Sequence, residues 1–157
     1  MHVSAKTDYG MRALLELAAA YDGDPRRLVK GEAIATAQDI PLKFLEGILR
    51  ELRQSGIVAS QRGADGGYRL DRPPAEITIA DVSRALDGPL VGVRGFRPED
   101  LEYHGASEHL QDVWIAVRAS LRNVLEGITL ADVGAGALRP DLAQLLDAPD
   151  AWKRRIP

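Results

Sequence analysis

Cysteine is absent from all 157 residues. That one absence removes disulfides, thiolate nucleophiles, zinc fingers and cysteine-ligated metal clusters together. Long apolar runs are missing as well: charge interrupts the chain every few residues, and nothing approaches the roughly 18 to 20 consecutive apolar residues of a membrane span. The opening MHVSAKTDYG lacks the apolar centre of a signal peptide, so a cytoplasmic location with no membrane contact is expected. There is no basic excess either, since the net charge is −3. The deficit is uneven, because residues 1 to 73 carry 11 Lys/Arg against 10 Asp/Glu while residues 74 to 157 carry 9 against 13. Binding to a polyanion would therefore depend on a local basic strip, because only charges close to phosphates release counterions. With 45% hydrophobic and 27% charged residues, the chain suits one principal core with an oligomerising extension.

Helical periodicity opens the chain. Met11, Leu14, Leu15, Leu17 and Ala18 recur at helical spacing between Thr7 and Tyr21. A breaker-rich loop follows from Asp22 to Arg27, and Glu32 to Ala37 reads as a short second helix. Asp39, Ile40 and Pro41 form a turn, since proline biases the preceding residue out of the helical region and suits the start of a new helix. The third helix runs to about Gln54 and ends at Ser55-Gly56. Its residues Leu42, Leu45, Leu49 and Leu52 make one apolar stripe, while Lys43, Glu46, Gly47 and Arg50 fall on another face.

Two short strands, Ile57 to Ser60 and Tyr68 to Leu70, flank the glycine-rich stretch Gln61 to Gly67. Gly63, Gly66 and Gly67 are expected to turn through positive φ, with Arg62 free to reach a narrow groove or a phosphate. Tyr68 and Leu70 suit the hairpin's core better than its contacts. Pro73-Pro74 closes the unit, and Ile77 to Leu86 reads as a helix with Thr78 as N-cap and Asp81 as a weaker capping-box partner. Helix, helix, turn, helix and then a hairpin is the order of a winged helix-turn-helix, so the fold class is mainly α with a small β-hairpin wing.

The stretch IPLKFLEGILRELRQSGIVASQRGADGGYRL, Ile40 to Leu70, closely resembles the signature of Rrf2 transcription regulators. It holds a Leu-Glu followed by Leu-x-x-Leu, a Ser-Gly-Ile-Val stop and an Arg-Gly-x-x-Gly-Gly-Tyr wing. Tyr9 in the first helix and the later ITIADVSRALDG are similar to the same family, so the resemblance spans about residues 1 to 88. It implies sequence-specific binding to double-stranded DNA. Arg62 would read the minor groove, and Lys43 and Phe44 would face the major groove. Arg50 and Arg53, one to three turns further along, suit phosphates. Glu46 could accept from a cytosine amino group or repel phosphate to sharpen discrimination. The sequence departs from the pattern where Pro41 replaces a hydroxyl residue and Gly47 leaves no side chain, which implies a different operator.

Residues 87 to 106 hold four glycines and two prolines without sustained period and read as a long loop of sensor or effector type. From about Ser107 to Gly127, Leu110, Trp114, Val117, Leu121, Val124 and Ile128 form a heptad-like seam along a long helix. In the resembling family that helix pairs with its counterpart, so a homodimer on a palindromic operator is expected. Thr129 to Val133 and Pro140 to Leu146 suit short helices, and the tail from Trp152 to Pro157 suits fraying. The organisation expected is a winged domain over 1–86, the loop over 87–106, a dimerising helical region over 107–146 and a flexible tail over 147–157.

Many members of the family place three cysteines in the loop and hold an iron-sulfur cluster with a further histidine or carboxylate. Here the loop reads GPLVGVRGFRPEDLEYHGASEH, so a thiolate-ligated cluster is chemically impossible and no cofactor is expected. Asp8 occupies the position of a carboxylate ligand in some relatives, but suits a helix start. An N/O metal site would have to use His104 and His109, five apart beside Glu102, Tyr103 and Glu108; surface or capping roles are the simpler reading. The loop could instead meet a small molecule or a partner protein. A DNA-binding regulator, most simply a repressor, is the leading function. The alternative is a winged-helix protein-interaction module with weak or no DNA binding. No catalytic constellation is present, so an enzyme is not expected.

Overall fold

Ser4 starts the first helix by accepting the Thr7 N–H on its hydroxyl at 3.0 Å, an N-cap that satisfies one of the free donors of the first turn. In the computed structural model, which describes residues 2–154, this helix is α1, Ala5–Gly23. It is followed by α2, Gly31–Gln38, and α3, Leu42–Gln54. Strands β1, Val58–Gln61, and β2, Gly67–Leu70, pair antiparallel with Val58 opposite Leu70 and Gln61 opposite Gly67. Helix α4, Ile79–Asp87, follows a 3₁₀ turn at Pro74–Glu76. Helices α5, Leu110–Leu125, α6, Leu130–Ala135, and α7, Pro140–Leu146, complete the order. This is the winged helix-turn-helix arrangement expected from the sequence.

The apolar stripes of the first three helices meet in one core. Leu14 and Leu17 of α1, Ile34 of α2, and Leu45, Leu49 and Leu52 of α3 have almost no accessible surface. Ile48 joins them, widening the α3 stripe beyond the four leucines, whereas Leu42 packs only at the edge. Ile57, Val58 and Leu70 carry the hairpin's inner face into the same core. Gly10 shows how close the packing is: a Cβ there would lie 2.4 Å from a Leu86 methyl, so a side chain at this crossing of α1 and α4 would force Leu86 to shift.

Both ends of α4 are fixed. The Thr78 hydroxyl accepts the Asp81 N–H at 3.0 Å while the Asp81 carboxylate accepts the Thr78 N–H at 3.1 Å, a complete capping box. At the other end the Ser4 hydroxyl donates to Asp87 at 2.7 Å. The same box recurs at Thr129 and Asp132, where α6 begins. Around it the chain returns to the winged core: Ile79 N–H donates to Ile128 C=O and Leu130 N–H to Ile77 C=O, both at 2.9 Å. The Leu130 side chain is fully buried.

The loop and long helix differ from expectation in detail. Within residues 87–106, Val93 and Phe96 exchange backbone hydrogen bonds across a tight turn with positive φ at Arg94 and Gly95, the two-residue turn that suits a twisted hairpin. Pro98–Asp100 and Gly105–Ser107 are 3₁₀ turns. The long helix is shorter than the sequence spacing suggests. Ser107 belongs to a turn, Leu110 is the first helical residue, and Ile128 lies beyond the last. The physical reason at the far end is that the backbone around Ile128 is bonded to α4 instead of continuing the helix. Of the expected tail, Arg155 to Pro157 lie outside the described residues. Trp152 is exposed, with its indole N–H donating to Leu146 C=O at 2.9 Å. No helix among the described residues is long and apolar enough to cross a membrane.

Candidate nucleic-acid interface

The turn before α3 aims that helix outward. Asp39 adopts the left-handed conformation at φ 51°, its neighbour Ile40 N–H bonds back to Ala35 C=O at 2.9 Å, and Pro41 takes the N-cap position. With one side of α3 locked into the core, Pro41, Lys43, Glu46, Arg50 and Arg53 are exposed. Gly47 lies on that side with nothing within 4 Å of where a Cβ would stand, which leaves room for a groove edge. Phe44 divides its surface. Its ring meets Tyr9 edge-on at 5.7 Å and is 44% exposed, so it both anchors α3 to α1 and presents an apolar edge outward. Arg12 stacks over the other partner of that pair, 5.2 Å from the Tyr9 ring centre.

The hairpin stands beside α3, and between them runs an open groove of about 460 Å³. Glu46 and Arg53 line it from the helix, and Arg62, Gly63 and Gly66 from the wing. Arg53 donates to the Ser60 hydroxyl at 3.3 Å, tying the end of the helix to the hairpin. Lys30 also lines the groove, a cation that sequence reasoning did not single out. It precedes α2 by one residue and reaches the groove only because Val29 pairs with Tyr68, adding a third short segment beside the hairpin. Among the described residues the side chains of Lys30, Lys43, Arg50 and Arg62 make no hydrogen bond or ion pair. Four cations on this side are thus available to an external anion.

The wing glycines require a correction. Gly63 has φ of 109°, as expected, but Gly66 and Gly67 do not have positive φ. They are glycine because the backbone crowds them: a Cβ on Gly66 would lie 2.3 Å from Gln61 C=O, and one on Gly67 would lie 2.6 Å from Val29 C=O. Gly66 therefore serves the tightness of the wing's own turn, whose Gly63 C=O accepts its N–H at 3.0 Å, and Gly67 the close approach of the Val29 segment. Leu70 is buried and Tyr68 packs against the core.

Far from the groove, α5 has no buried residue in its 16. Leu110 and Val117 are exposed, as is Val113 between them, while Trp114, Leu121, Val124 and Ile128 are partly covered. The Trp114 indole N–H donates to the Tyr103 hydroxyl at 3.0 Å. His109 lies beside Asp112 at 3.6 Å with both side chains exposed, and the His104 carbonyl accepts from Ser107. No three His, Asp or Glu side chains converge on one point among the described residues. Asp8 pairs with Arg12 at 3.4 Å in the first turn of α1.

Comparison with known proteins gives the same reading as the geometry. Residues 3–136 match the Rrf2 family, described as an iron-dependent transcriptional regulator. A protein of Mycobacterium tuberculosis named as an HTH-type transcriptional regulator, Rv1287, is 51% identical over 147 residues, covering 94% of this chain and 89% of its own. CymR of Bacillus subtilis, an HTH-type transcriptional regulator, is 33% identical over 135 residues, covering 86% of this chain and 91% of its own. Its solved structure, that of the global cysteine regulator, superposes with a TM-score of 0.71 over 87% of this chain and 98% of that one at 31% identity. The structure of IscR from T. potens superposes with a TM-score of 0.64 at 32% identity over 99% and 94% of the two chains. The family's iron dependence does not carry over through thiolates, because the chain has none to offer. With the fold, the outward recognition helix and the relatives in agreement, this chain belongs to the Rrf2 family and is a DNA-binding transcriptional regulator.

Proposed function

We propose that the protein acts as a cytoplasmic homodimeric repressor, placing two α3 helices in successive major grooves of a palindromic operator and two wings over the flanking minor grooves. The observation that carries this reading is the single groove shared by α3 and the wing, with Lys30 and Arg62 unpaired along it. Lys43 suits a guanine edge, Arg50 and Arg53 suit phosphates, and Arg62 suits a narrow minor groove. Glu46 in the same groove disfavours misplaced phosphate and favours a cytosine amino group. The exposed apolar line of α5 supports the dimer, because one small domain makes too few base contacts alone. Occupancy of the promoter is then sufficient for output, with neither catalysis nor a cluster, and the 87–106 loop receives the signal.

The test is fluorescence anisotropy of the full chain on the DNA upstream of its own gene across a salt series. Specific binding that weakens steeply with salt is expected. Absence of such binding in the wild-type protein overturns the reading and leaves the wing as a protein-interaction surface.

A further inference from the structure

Four arginines from three separate stretches of sequence surround one cavity of about 360 Å³, away from the α3 groove. Arg84 comes from α4, Arg97 from the loop, and Arg118 and Arg122 from successive turns of α5. Pro89, Leu90 and Val91 supply an apolar wall. Two carboxylates stand against the arginines: Glu99 in a close ion pair with Arg118, and Glu126 in a close pair with Arg84 and 3.9 Å from Arg122. Four guanidiniums against two carboxylates leave two positive charges in surplus. That surplus lies in the acidic half of the chain, where Lys/Arg number 9 against 13 Asp/Glu. Arg97 has no hydrogen-bond or ion-pair partner for its side chain among the described residues. The Arg118 side chain is only 17% exposed, so part of its charge is already desolvated.

Planar guanidinium forks match carboxylate and phosphate groups through paired hydrogen bonds, and a partly apolar cavity of this volume suits a small ligand. We propose that this cavity binds a small dianion carrying carboxylate or phosphate groups, and that its binding changes how α4 and α5 are held together. The entering anion competes with Glu99 and Glu126 for the same guanidiniums. It thereby loosens the Pro98–Asp100 turn from α5 and draws Arg84 of the reader towards Arg122 of the long helix. The binding site stands on its own geometry; its effect on DNA rests on the dimeric-repressor reading above. A ligand acts on such an equilibrium only through its different affinity for the two arrangements.

The experiment titrates the full chain with inorganic phosphate, succinate and citrate, using sodium chloride at matched ionic strength as control, and follows calorimetry and thermal unfolding. At least one of the three is expected to bind saturably and raise Tm by roughly 5–10 °C at a hundredfold excess over Kd. Arg122→Ala and Arg118→Ala should abolish that rise with unchanged circular dichroism, and Arg118→Lys should weaken binding at least tenfold. Operator affinity, read at the same ionic strength, should change by about 5- to 150-fold in wild type and not in Arg122→Ala. If none of the probes exceeds chloride, or the variants respond like wild type, the site is wrong even where operator binding is intact. If instead the variants lose DNA affinity uniformly and flatten its salt dependence, the arginines contact DNA phosphates, which also overturns the proposal. Saturable, Arg118-dependent binding in a protein that binds no operator keeps the site and removes only the repressor reading.

Discussion

The winged core and α5 are built from similarly apolar sequence and are buried to opposite degrees. In the core, α1, α3 and α4 each hide several side chains completely, and the hairpin and α6 add Leu70 and Leu130 to the same interior. Helix α5 hides none completely, although Val113 and Val117 are as apolar as anything inside. It touches the rest of the chain mainly through α4 and the Pro98–Asp100 turn. The contrast separates two jobs. A reader of DNA must hold its recognition helix at a fixed angle, which dense packing supplies. The apolar line that α5 leaves exposed is the surface that the dimer proposed above would cover.

Mutations in the two regions should therefore have opposite consequences for folding and assembly. Leu49→Ala, at a site with no exposed surface, is expected to destabilise folding by about 2–5 kcal/mol, read as a fall in the urea midpoint. Val117→Glu should leave the helical signal intact yet shift sedimentation from dimer to monomer, and operator affinity should fall by about 100-fold as one half-site is lost. A Val117→Glu protein that remained dimeric would place the interface elsewhere. On the reading face, Arg62→Ala should cost about 1–3 kcal/mol of operator binding, measured by anisotropy, without altering the unfolding midpoint.

Smaller effects probe the seam between the two regions. Thr129→Ala removes the cap that starts α6 and should cost about 1 kcal/mol in chemical unfolding. The same box predicts a pH effect. The Thr129 N–H and hydroxyl, outweighing slight burial, hold the Asp132 carboxyl below its ordinary value of 3.8. Its contribution is therefore present at pH values above about 3.8 and is lost as pH falls through the lower, folded-state value. Stability curves of wild type and Asp132→Asn should converge in that acid window and stay apart above it.

Much of the reader was legible because its signals are local. The leucine stripe of α3, the Ser55-Gly56 stop, and Thr78 three residues before Asp81 each act within one or two turns, and the structure forms all of them. The misjudgements have a common cause, contact between distant segments. Gly67 looks like a turn residue until Val29 is seen against the wing. Lys30 looks like an ordinary loop cation until that same pairing carries it to the groove. The stretch from about Ser107 to Gly127 is helical throughout by spacing alone, and the helix stops at Leu125 because the backbone just beyond bonds to Ile77 and Ile79. The cavity arginines of α4 and α5 are at least 34 residues apart in sequence, Arg84 to Arg118 being the nearest such pair, and only folding gathers them.

The return of Leu130 to the core also changes where the protein can be cut. A fragment ending near Asp87 holds every residue of the recognition helix and wing, yet it lacks the leucine that fills the space beside Ile77 and the carbonyl that receives the Ile79 N–H. The long helix is therefore carried between two parts of one interior, with the chain returning to the reader directly after its C-terminal end. Shortening or exchanging α5 between Leu110 and Leu125 should be tolerated by the fold, whereas removing everything after it leaves an unfilled core. The length of this segment can therefore change without rebuilding the part that reads DNA.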